Sequence, residues 1–199
     1  MIDARSSGKL RLAIFGGSFD PVHIGHLLVA QAAREELGLD QVCFVPAAKS
    51  PFKPDSEPAP AGLRLRMLRL ALAGLPWCRV DDQEISRGGF SYTIETIRRY
   101  TEDYPEAELH WIIGADHVGG LPQWREAGEL AQLVRFIVVQ RPTEPQAPLP
   151  FPFQGVYLRG FPLALSSSQI RSRVQQGLSI RLLTTETVAE LIHKNRLYL

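Results

Sequence analysis

The most informative stretch of this sequence reads Leu12-Ala13-Ile14-Phe15-Gly16-Gly17-Ser18-Phe19-Asp20-Pro21-Val22-His23-Ile24-Gly25-His26. Its first four residues form an apolar run, which is typical of a short buried strand. A pair of glycines follows at once, and glycine lets the backbone approach a ligand closely because no Cβ intervenes. An amphipathic segment comes next, so the stretch predicts a strand, a tight loop and a helix. The loop is neither a G-x-G-x-x-G fingerprint nor a Walker A motif.

Two histidines, His23 and His26, lie near the start of that helix and face the same way because they are three residues apart. Asp20 and Pro21 fit a helix cap and a first helical position, with a start nearer His23 as the alternative. A helix N-terminus offers free N–H donors and partial positive charge to an anion. Imidazoles beside polyphosphate are favoured in protonated or donor forms. We therefore interpret the segment as a phosphate site; the alternatives are a turn with surface histidines, or a metal pair without a third ligand.

Outward from this stretch, apolar runs alternate with amphipathic segments in a βαβα order. The predicted strands cover residues 12–15, 42–45, 77–80, 109–113, 136–139 and 156–158. The predicted helices cover residues 24–37, 63–73, 91–104, 125–133, 168–176 and 185–195. Continuously apolar strands separated by helices predict an α/β fold, a Rossmann-like doubly wound parallel sheet of about five to six strands. Such sheets bind ligands at the carboxyl ends of their strands, near the switch in strand order.

The length and composition fit one ordinary domain. We assign residues 1–199 to a single domain, with residues 1–10 as a loose lead-in and about 166–199 as a small C-terminal helical extension. The chain is 45% hydrophobic and 22% charged, enough for a full core without a disulfide or metal staple. Its net charge of +1 argues against a nucleic-acid partner bound through a broad basic face.

The cysteines and the apolar runs predict a cytoplasmic protein. Cys43 and Cys78 lie in apolar, strand-like runs and are expected to be buried and reduced. No apolar run approaches the roughly 18 residues needed to span a membrane, so no membrane partner is expected. The first residues also lack the apolar region of a secretory signal. No surface stripe indicates an oligomeric state.

Several separated segments carry a family resemblance. The first is the Gly16–His26 stretch, and the others are Ser91-Tyr92-Thr93, Ile113-Gly114-Ala115-Asp116, Leu121-Pro122-Gln123-Trp124 and Leu165-Ser166-Ser167-Ser168-Gln169-Ile170-Arg171. The first resembles the signature of the H-x-G-H nucleotidyltransferase superfamily, and the set in order resembles bacterial nicotinate-nucleotide adenylyltransferase. The resemblance runs from Leu12 to Tyr198. Phe52 stands where the family's Pro-Pro-His-Lys loop has histidine, and Ser18 where threonine is more frequent.

The resemblance implies an enzyme that transfers AMP from ATP to nicotinate mononucleotide, giving deamido-NAD and pyrophosphate in NAD biosynthesis. The attacking phosphate is already anionic near pH 7, so no general base is required, and positioning and charge stabilisation should carry the catalysis. The expected cofactor is Mg²⁺ with ATP as co-substrate, held mostly by phosphate oxygens and water. We therefore assign no metal-ligating residue.

The candidate site residues form four groups. The catalytic group is His23, His26 and Arg171, the last because its planar fork suits phosphate oxygens. The ATP group is Gly16, Gly17, Ser18, Phe19, Ser166, Ser167 and Ser168, in which the later serines also fit helix caps. The mononucleotide group is Lys53, Tyr92, Thr93 and Trp124, with the resemblance implying that Trp124 stacks on the pyridine ring. Gly114 and Asp116 are expected to contact a ligand, and the sequence does not decide whether it is ATP or the mononucleotide.

Simpler interpretations remain for several of these residues. Lys53 also fits a solvated loop residue, Trp124 a core anchor and Asp116 a helix cap. Three arginines, Arg64, Arg66 and Arg69, are expected on the polar face of a helix without a functional role.

Other functions share part of the pattern. Cytidylyltransferases and phosphopantetheine or flavin adenylyltransferases would have the first loop but not the S-Y-T, G-A-D and L-P-x-W set. The sequence does not decide between nicotinate and nicotinamide mononucleotide or another phosphorylated acceptor. A non-catalytic nucleotide-binding protein on the same fold is the alternative from a different class.

Overall fold

A parallel β-sheet forms the centre of the molecule in the computed structural model, which describes residues 8–52, 57–140, 146–161 and 163–199. The strands are β1 (Arg11–Gly17), β2 (Gln41–Pro46), β3 (Cys78–Val80), β4 (Glu108–Gly114), β5 (Arg135–Val139) and β6 (Gly155–Leu158). The α-helices are α1 (Ile24–Leu37), α2 (Ala61–Ala71), α3 (Gln83–Arg87), α4 (Thr93–Asp103), α5 (Ala127–Leu133), α6 (Ser167–Gln175) and α7 (Glu186–Lys194). A 3₁₀ helix covers Ala115–Gln123.

The strand order is β3-β2-β1-β4-β5-β6, and every neighbouring pair is parallel. The order reverses beside β1, where Phe15 is in register with Phe44 of β2 on one side and Ile112 of β4 on the other. This arrangement confirms the predicted doubly wound, Rossmann-like sheet. It also places the ends of β1 and β4 at the switch point, where such sheets bind ligands.

Two apolar layers cover the sheet. Ala13 of β1 belongs to the layer formed with α1, α2, α6 and α7, whereas Leu12 and Ile14 belong to the layer formed with α4 and α5. All three are at most 1% exposed, as the continuously apolar run predicts for a strand buried on both faces. The two C-terminal helices therefore pack on the same face as α1, next to the loop that follows β1.

The first helix has the predicted bounds, but its cap differs from one of the two predictions. Helix α1 ends at Gly38, which adopts the left-handed conformation (φ 60°, ψ 42°) that glycine accepts without steric cost. Its N-cap is His23, not Asp20, so the assignment of Asp20 and Pro21 to the cap and first turn is wrong. The Asp20 side chain is instead engaged by Ala59 and Tyr198, both distant in sequence.

Other differences are local. The short helix α3 and the 3₁₀ helix were not predicted, and the predicted helix over residues 125–133 begins only at Ala127. The 3₁₀ segment contains Gly119, Gly120 and Pro122, which are typical of a loop. Residues 1–7 of the expected lead-in lie outside the described part of the chain. Within the described ranges, no helix combines the length and apolarity needed to cross a membrane. The single-domain assignment remains a prediction.

Candidate active site

Two adjoining cavities lie where β1 and β4 end. The larger, of about 800 Å³, is called here the main cavity, and the smaller, of about 220 Å³, the aromatic cavity. Their common wall consists of Phe15, Ser18, Ile113 and Gly114. Small-molecule sites typically occupy about 300–1,000 Å³, and the main cavity falls in this range. The aromatic cavity is smaller and extends the space at the switch point on the other side of the common wall.

Both histidines of the first loop line the main cavity. Their rings are stacked, with centroids 3.7 Å apart and planes 27° from parallel. The backbone N–H of His23 donates to Nδ1 of His26 over 3.2 Å. Since Nδ1 accepts, the ring proton of a neutral His26 lies on Nε2. A Cβ on Gly25 would lie 3.0 Å from two atoms of the His23 ring, so the stacked pair explains the glycine between them.

Burial keeps both imidazoles neutral near pH 7 in the absence of ligand. It lowers the pKa of His23 to about 4. It also lowers the pKa of His26, with a further decrease from the neighbouring His23. Nδ1 of His23 is buried and has no hydrogen-bond partner among the described residues. A neutral imidazole still donates one hydrogen bond, and bound polyphosphate would raise both pKa values towards the protonated form.

The first loop is held by a buried arginine that was expected at the surface. Arg64 of α2 is only 2% exposed. Its guanidinium donates to the carbonyl oxygens of Ser18 (2.9 Å), Ala47 (2.8 Å) and Ala59 (3.0 Å). The surface prediction is therefore wrong for Arg64.

The prediction is correct for the two other arginines of α2, Arg66 and Arg69, which are exposed. A periodicity signal was available, because Met67 and Leu68, three and four residues after Arg64, lie on the buried face of α2.

Asp20 of the first loop is only 7% exposed, and it accepts hydrogen bonds from three other parts of the chain. Its Oδ1 accepts from the Tyr198 hydroxyl over 2.6 Å and from the Ala59 backbone N–H over 3.1 Å. Its main-chain oxygen accepts from Nη1 of Arg171 over 2.7 Å. These bonds tie the first loop to segments near residues 59, 171 and 198. Tyr198 lines the main cavity and was not among the predicted site residues.

The three serines at the start of α6 line the main cavity, and each has a partner within the chain. Ser166 is the N-cap: its Oγ accepts from the backbone N–H of Gln169 over 3.3 Å, and the Gln169 side chain accepts from the Ser166 backbone N–H over 2.8 Å. The Ser167 hydroxyl donates to the carbonyl oxygen of Pro21 over 2.9 Å. Ser168 accepts from Nη2 of Arg171 over 3.2 Å. The first turn of α6 and Arg171 thus face the same cavity as the histidines.

The glycines of the first loop make room for protein side chains. A Cβ on Gly16 would lie 2.5 Å from the Trp111 indole, and one on Gly17 would lie 3.2 Å from the Phe19 ring. Both glycines line the aromatic cavity and not the main one, although the sequence grouped them with ATP. Ser18 and Phe19, the other two first-loop residues of that group, line the main cavity.

The aromatic cavity takes its name from the rings of Phe52, His117 and Trp124. The Phe52 ring centroid is 5.0 Å from that of His117 and 5.5 Å from that of Trp124. Thr93 also lines this cavity, whereas Tyr92 does not. The Tyr92 ring lies beneath the Arg125 guanidinium, 4.6 Å away. The fourth predicted mononucleotide residue, Lys53, lies outside the described residues.

Gly114 and Asp116 lie at the boundary between the cavities. Gly114 belongs to the common wall, and Asp116 lines the main cavity. The cap position of the 3₁₀ helix is Gly114, so Asp116 lies inside the first turn and is not the cap. A Cβ on Gly114 would meet the Asp116 carboxylate, so an alanine there would require that side chain to rotate away.

The wall of the aromatic cavity also contains polar residues that the sequence did not assign to the site. Ser91 and Glu84 line it. Oγ of Ser91 accepts from the backbone N–H of Ala48 over 2.9 Å, and the Thr96 hydroxyl donates to Glu84 over 2.6 Å. Burial raises the pKa of Glu84. The loop after β2, which carries Phe52, is thereby fixed to the start of α4.

Comparison with known proteins identifies the chain at two levels. Residues 14–173 match the family model described as cytidylyltransferase-like, so the chain belongs to this class of nucleotidyltransferase-fold proteins. A relative from Methylacidiphilum infernorum is 39% identical over 98% of this chain and 95% of its own length. Another, from Gloeobacter violaceus, is 42% identical over 94% of this chain and 96% of its own length. Both are named "Probable nicotinate-nucleotide adenylyltransferase". The chain thus belongs to the nicotinate-nucleotide adenylyltransferase family, which confirms the resemblance found in the sequence.

A solved structure supports the fold independently. Plasmodium falciparum nicotinic acid mononucleotide adenylyltransferase, in complex with NaAD, superposes with a TM-score of 0.76 over 95% of this chain and 97% of its own. The sequence identity is 18%, so this likeness supports the architecture and not the roles of individual residues.

Proposed function

We propose that this protein transfers AMP from ATP to nicotinate mononucleotide, forming deamido-NAD and pyrophosphate in NAD biosynthesis. The observation that carries the proposal is the pair of cavities with a common wall at the switch point. The main cavity has the polar groups that a triphosphate needs: two imidazoles, an arginine and the first turn of a helix. The aromatic cavity has the ring surface that a pyridine needs. The common wall brings the two substrates within reach of each other.

In the reaction, a phosphate oxygen of the mononucleotide attacks the α-phosphorus of ATP. The bond between the α-phosphorus and the bridging oxygen breaks, and pyrophosphate leaves with the electron pair. His23 and His26 donate to the triphosphate and stabilise the charge on the leaving group, and Arg171 and the start of α6 hold the β and γ phosphates. The histidines need no part in proton abstraction, because the nucleophile is already anionic.

Mg²⁺ enters this proposal as part of the substrate Mg·ATP. Within the described ranges, no cluster of three or more His, Cys, Asp or Glu side chains could hold a metal ion. We therefore propose that phosphate oxygens and water supply most of the ligands of the cation. Its contribution would be to neutralise charge on the triphosphate.

In the aromatic cavity, Trp124 stacks on the pyridine ring, Thr93 contacts the mononucleotide, and Phe52 supplies apolar surface where the family has an imidazole. Tyr92 would support this wall through its packing, since it does not line the cavity. A cytoplasmic location also belongs to the proposal and is supported by the two free cysteines, Cys43 and Cys78, on neighbouring strands.

The test is pyrophosphate release from Mg·ATP with nicotinate or nicotinamide mononucleotide as acceptor, assayed in parallel. We expect release with both ATP and nicotinate mononucleotide present, formation of deamido-NAD in equal amount, and a lower kcat/KM for the nicotinamide form. If the folded protein released pyrophosphate with neither acceptor, the assignment as an adenylyltransferase for pyridine mononucleotides would be wrong. If it preferred nicotinamide mononucleotide, the assignment of nicotinate mononucleotide as the acceptor would be wrong.

A further inference from the structure

Asp20 places a carboxylate next to the histidines and Arg171 of the main cavity, although the proposed ligand is an anion. Asp20 lines the cavity together with His23, His26 and Arg171. A carboxylate beside a triphosphate weakens binding through like-charge repulsion unless other groups offset its charge. It also competes with phosphate for the nearest arginine. The surroundings of Asp20 therefore affect how strongly the cavity attracts ATP.

The Asp20 carboxylate is engaged by neutral donors and lies near a buried cation. Tyr198 and the Ala59 backbone both donate to Oδ1, over 2.6 and 3.1 Å. Burial raises the pKa of the Tyr198 phenol, and its hydrogen bond to Asp20 raises it further, so the phenol keeps its proton. Burial lowers the pKa of the Arg64 guanidinium, and the charge of Asp20 partly offsets this. Arginine remains protonated in proteins, so Arg64 is a permanent counter-charge for Asp20.

Arg171 is close to Asp20 but does not form a hydrogen-bonded pair with its carboxylate. Nη1 of Arg171 donates to the main-chain oxygen of Asp20 over 2.7 Å and lies 4.0 Å from Oδ2. Its side chain is 36% exposed, and the residue lines the main cavity. The present separation of 4.0 Å is longer than a hydrogen bond, and an unrestrained carboxylate that rotated towards Arg171 would close it to a charge-assisted hydrogen bond. Such a bond would withdraw the arginine from phosphate.

We propose that Tyr198 is a positioning residue of the triphosphate site that acts through Asp20. Its hydroxyl holds the carboxylate in the orientation that leaves Arg171 free for phosphate oxygens. This inference rests on the proposed function for the identity of the anion, but ATP binding alone tests it. Tyr198 needs no contact with the reacting atoms.

The direct test is Tyr198→Phe, which removes the hydroxyl and keeps the ring. The matched control is Tyr157→Phe, because the Tyr157 hydroxyl also donates to the chain, to the carbonyl oxygen of Ala147, but lies at the β6 edge outside the cavity. Calorimetry with Mg·ATP should show about tenfold weaker binding for Tyr198→Phe, the size expected when one charged hydrogen bond from Arg171 to phosphate is lost. The KM for ATP should rise with it, the KM for the mononucleotide should not, and the control should match wild type. Unchanged ATP affinity in folded Tyr198→Phe would overturn the proposal.

A double-mutant cycle with Asp20→Asn separates this mechanism from a loss of packing. In the Asp20→Asn background the carboxylate next to Arg171 is absent, so adding Tyr198→Phe should have little further effect on ATP affinity. Equal effects of Tyr198→Phe in both backgrounds would overturn the proposal. Asp20→Asn alone is the second test if Tyr198→Phe fails to fold. It should bind ATP at least as tightly as wild type, and a tenfold loss in the folded variant would refute the mechanism.

These outcomes are distinguishable from failure of the proposed function. A wild-type protein that binds ATP but transfers nothing to nicotinate mononucleotide would contradict the reaction. The affinity differences among the variants would still decide the role of Tyr198.

Discussion

The main and aromatic cavities share a wall but are constructed by different physical means. The main cavity depends on buried polar groups whose partners are distant in sequence: Asp20 and Tyr198 are 178 positions apart, and Asp20 and Arg171 are 151 apart. The aromatic cavity depends on ring contacts among Phe52, His117 and Trp124, and Phe52 is 53% exposed.

This difference predicts how each cavity responds to mutation. A buried polar network loses the desolvation free energy of every group left without a partner, so single changes in it are costly. Ring contacts are less directional and tolerate exchange of one apolar group for another. Mutations at the main cavity should therefore affect catalysis strongly, and mutations at the aromatic cavity should mainly affect acceptor affinity.

The largest effect should come from His23→Ala, which removes an aimed donor from the main cavity. We expect kcat to fall by about 10²–10³, the usual loss when one charge-stabilising donor is removed. Pyrophosphate release measures the rate, and circular dichroism confirms the fold. The control is His193→Ala, since His193 is exposed on α7. Wild-type turnover in folded His23→Ala would remove the basis for assigning the main cavity to the triphosphate.

Gly16→Ala should be the most destabilising change at the boundary of the aromatic cavity. The new Cβ would lie 2.5 Å from the rigid indole of Trp111, which is 5% exposed, so backbone or ring must move. Overpacking of this kind costs about 1–3 kcal/mol of unfolding free energy, measured by urea denaturation. Gly62→Ala is the control, because its Cβ would meet no atom within 4 Å, and it should be neutral or stabilising. Equal stability of the two variants would show that the backbone or the Trp111 ring moves aside at little cost.

Trp124→Ala should separate the two cavities kinetically. Loss of an aromatic platform typically costs about 1–3 kcal/mol per stacked base, so the KM for nicotinate mononucleotide should rise about tenfold. The KM for ATP should change less than twofold, since Trp124 lines only the aromatic cavity. Phe151→Ala, at a ring that is 96% exposed, controls for general loss of surface aromatics. A rise in both KM values would show that the cavities do not act separately.

The smallest effect concerns pH and the buried histidines. The pKa of His23 is about 4 when folded and near 6.5 when unfolded, so between these values only the unfolded chain binds the proton. The free energy of unfolding therefore has its full value above pH 6.5. It decreases as the pH falls from 6.5 towards 4, by about 1 kcal/mol per pH unit for this histidine. Urea unfolding at pH 7, 6 and 5 measures this slope. His23→Gln should give a shallower slope, and identical slopes would contradict the burial of an uncharged imidazole.

The sequence predicted well what depends on local pattern. The bounds of α1, the position of β1 and the parallel sheet follow from apolar periodicity and from Gly38, which marks the helix end. The positions of His23, His26 and Arg171 around one cavity follow from the rule that ligands bind at the ends of parallel strands. Motif order identified the family, although periodicity alone could not have done so.

What the sequence did not predict depends on tertiary partners. Arg64 was expected at the surface because arginine is rarely buried, yet three carbonyl oxygens satisfy it. Asp20 was expected as a helix cap because nothing local indicated Tyr198. Gly16 and Gly17 were assigned to ligand contact, whereas indole and phenyl rings fill the space beside them. In each case the partner is supplied by a different part of the fold.

The common wall has a thermodynamic consequence. Phe15, Ser18, Ile113 and Gly114 face both cavities, so any shift of these residues induced by one substrate changes the site of the other. Linkage requires the two changes in affinity to be equal: if ATP tightens the binding of the mononucleotide by some factor, the mononucleotide tightens the binding of ATP by the same factor. Because three of the four wall residues lie in β1 and β4, the central strands of the sheet would transmit any such coupling between the two sites.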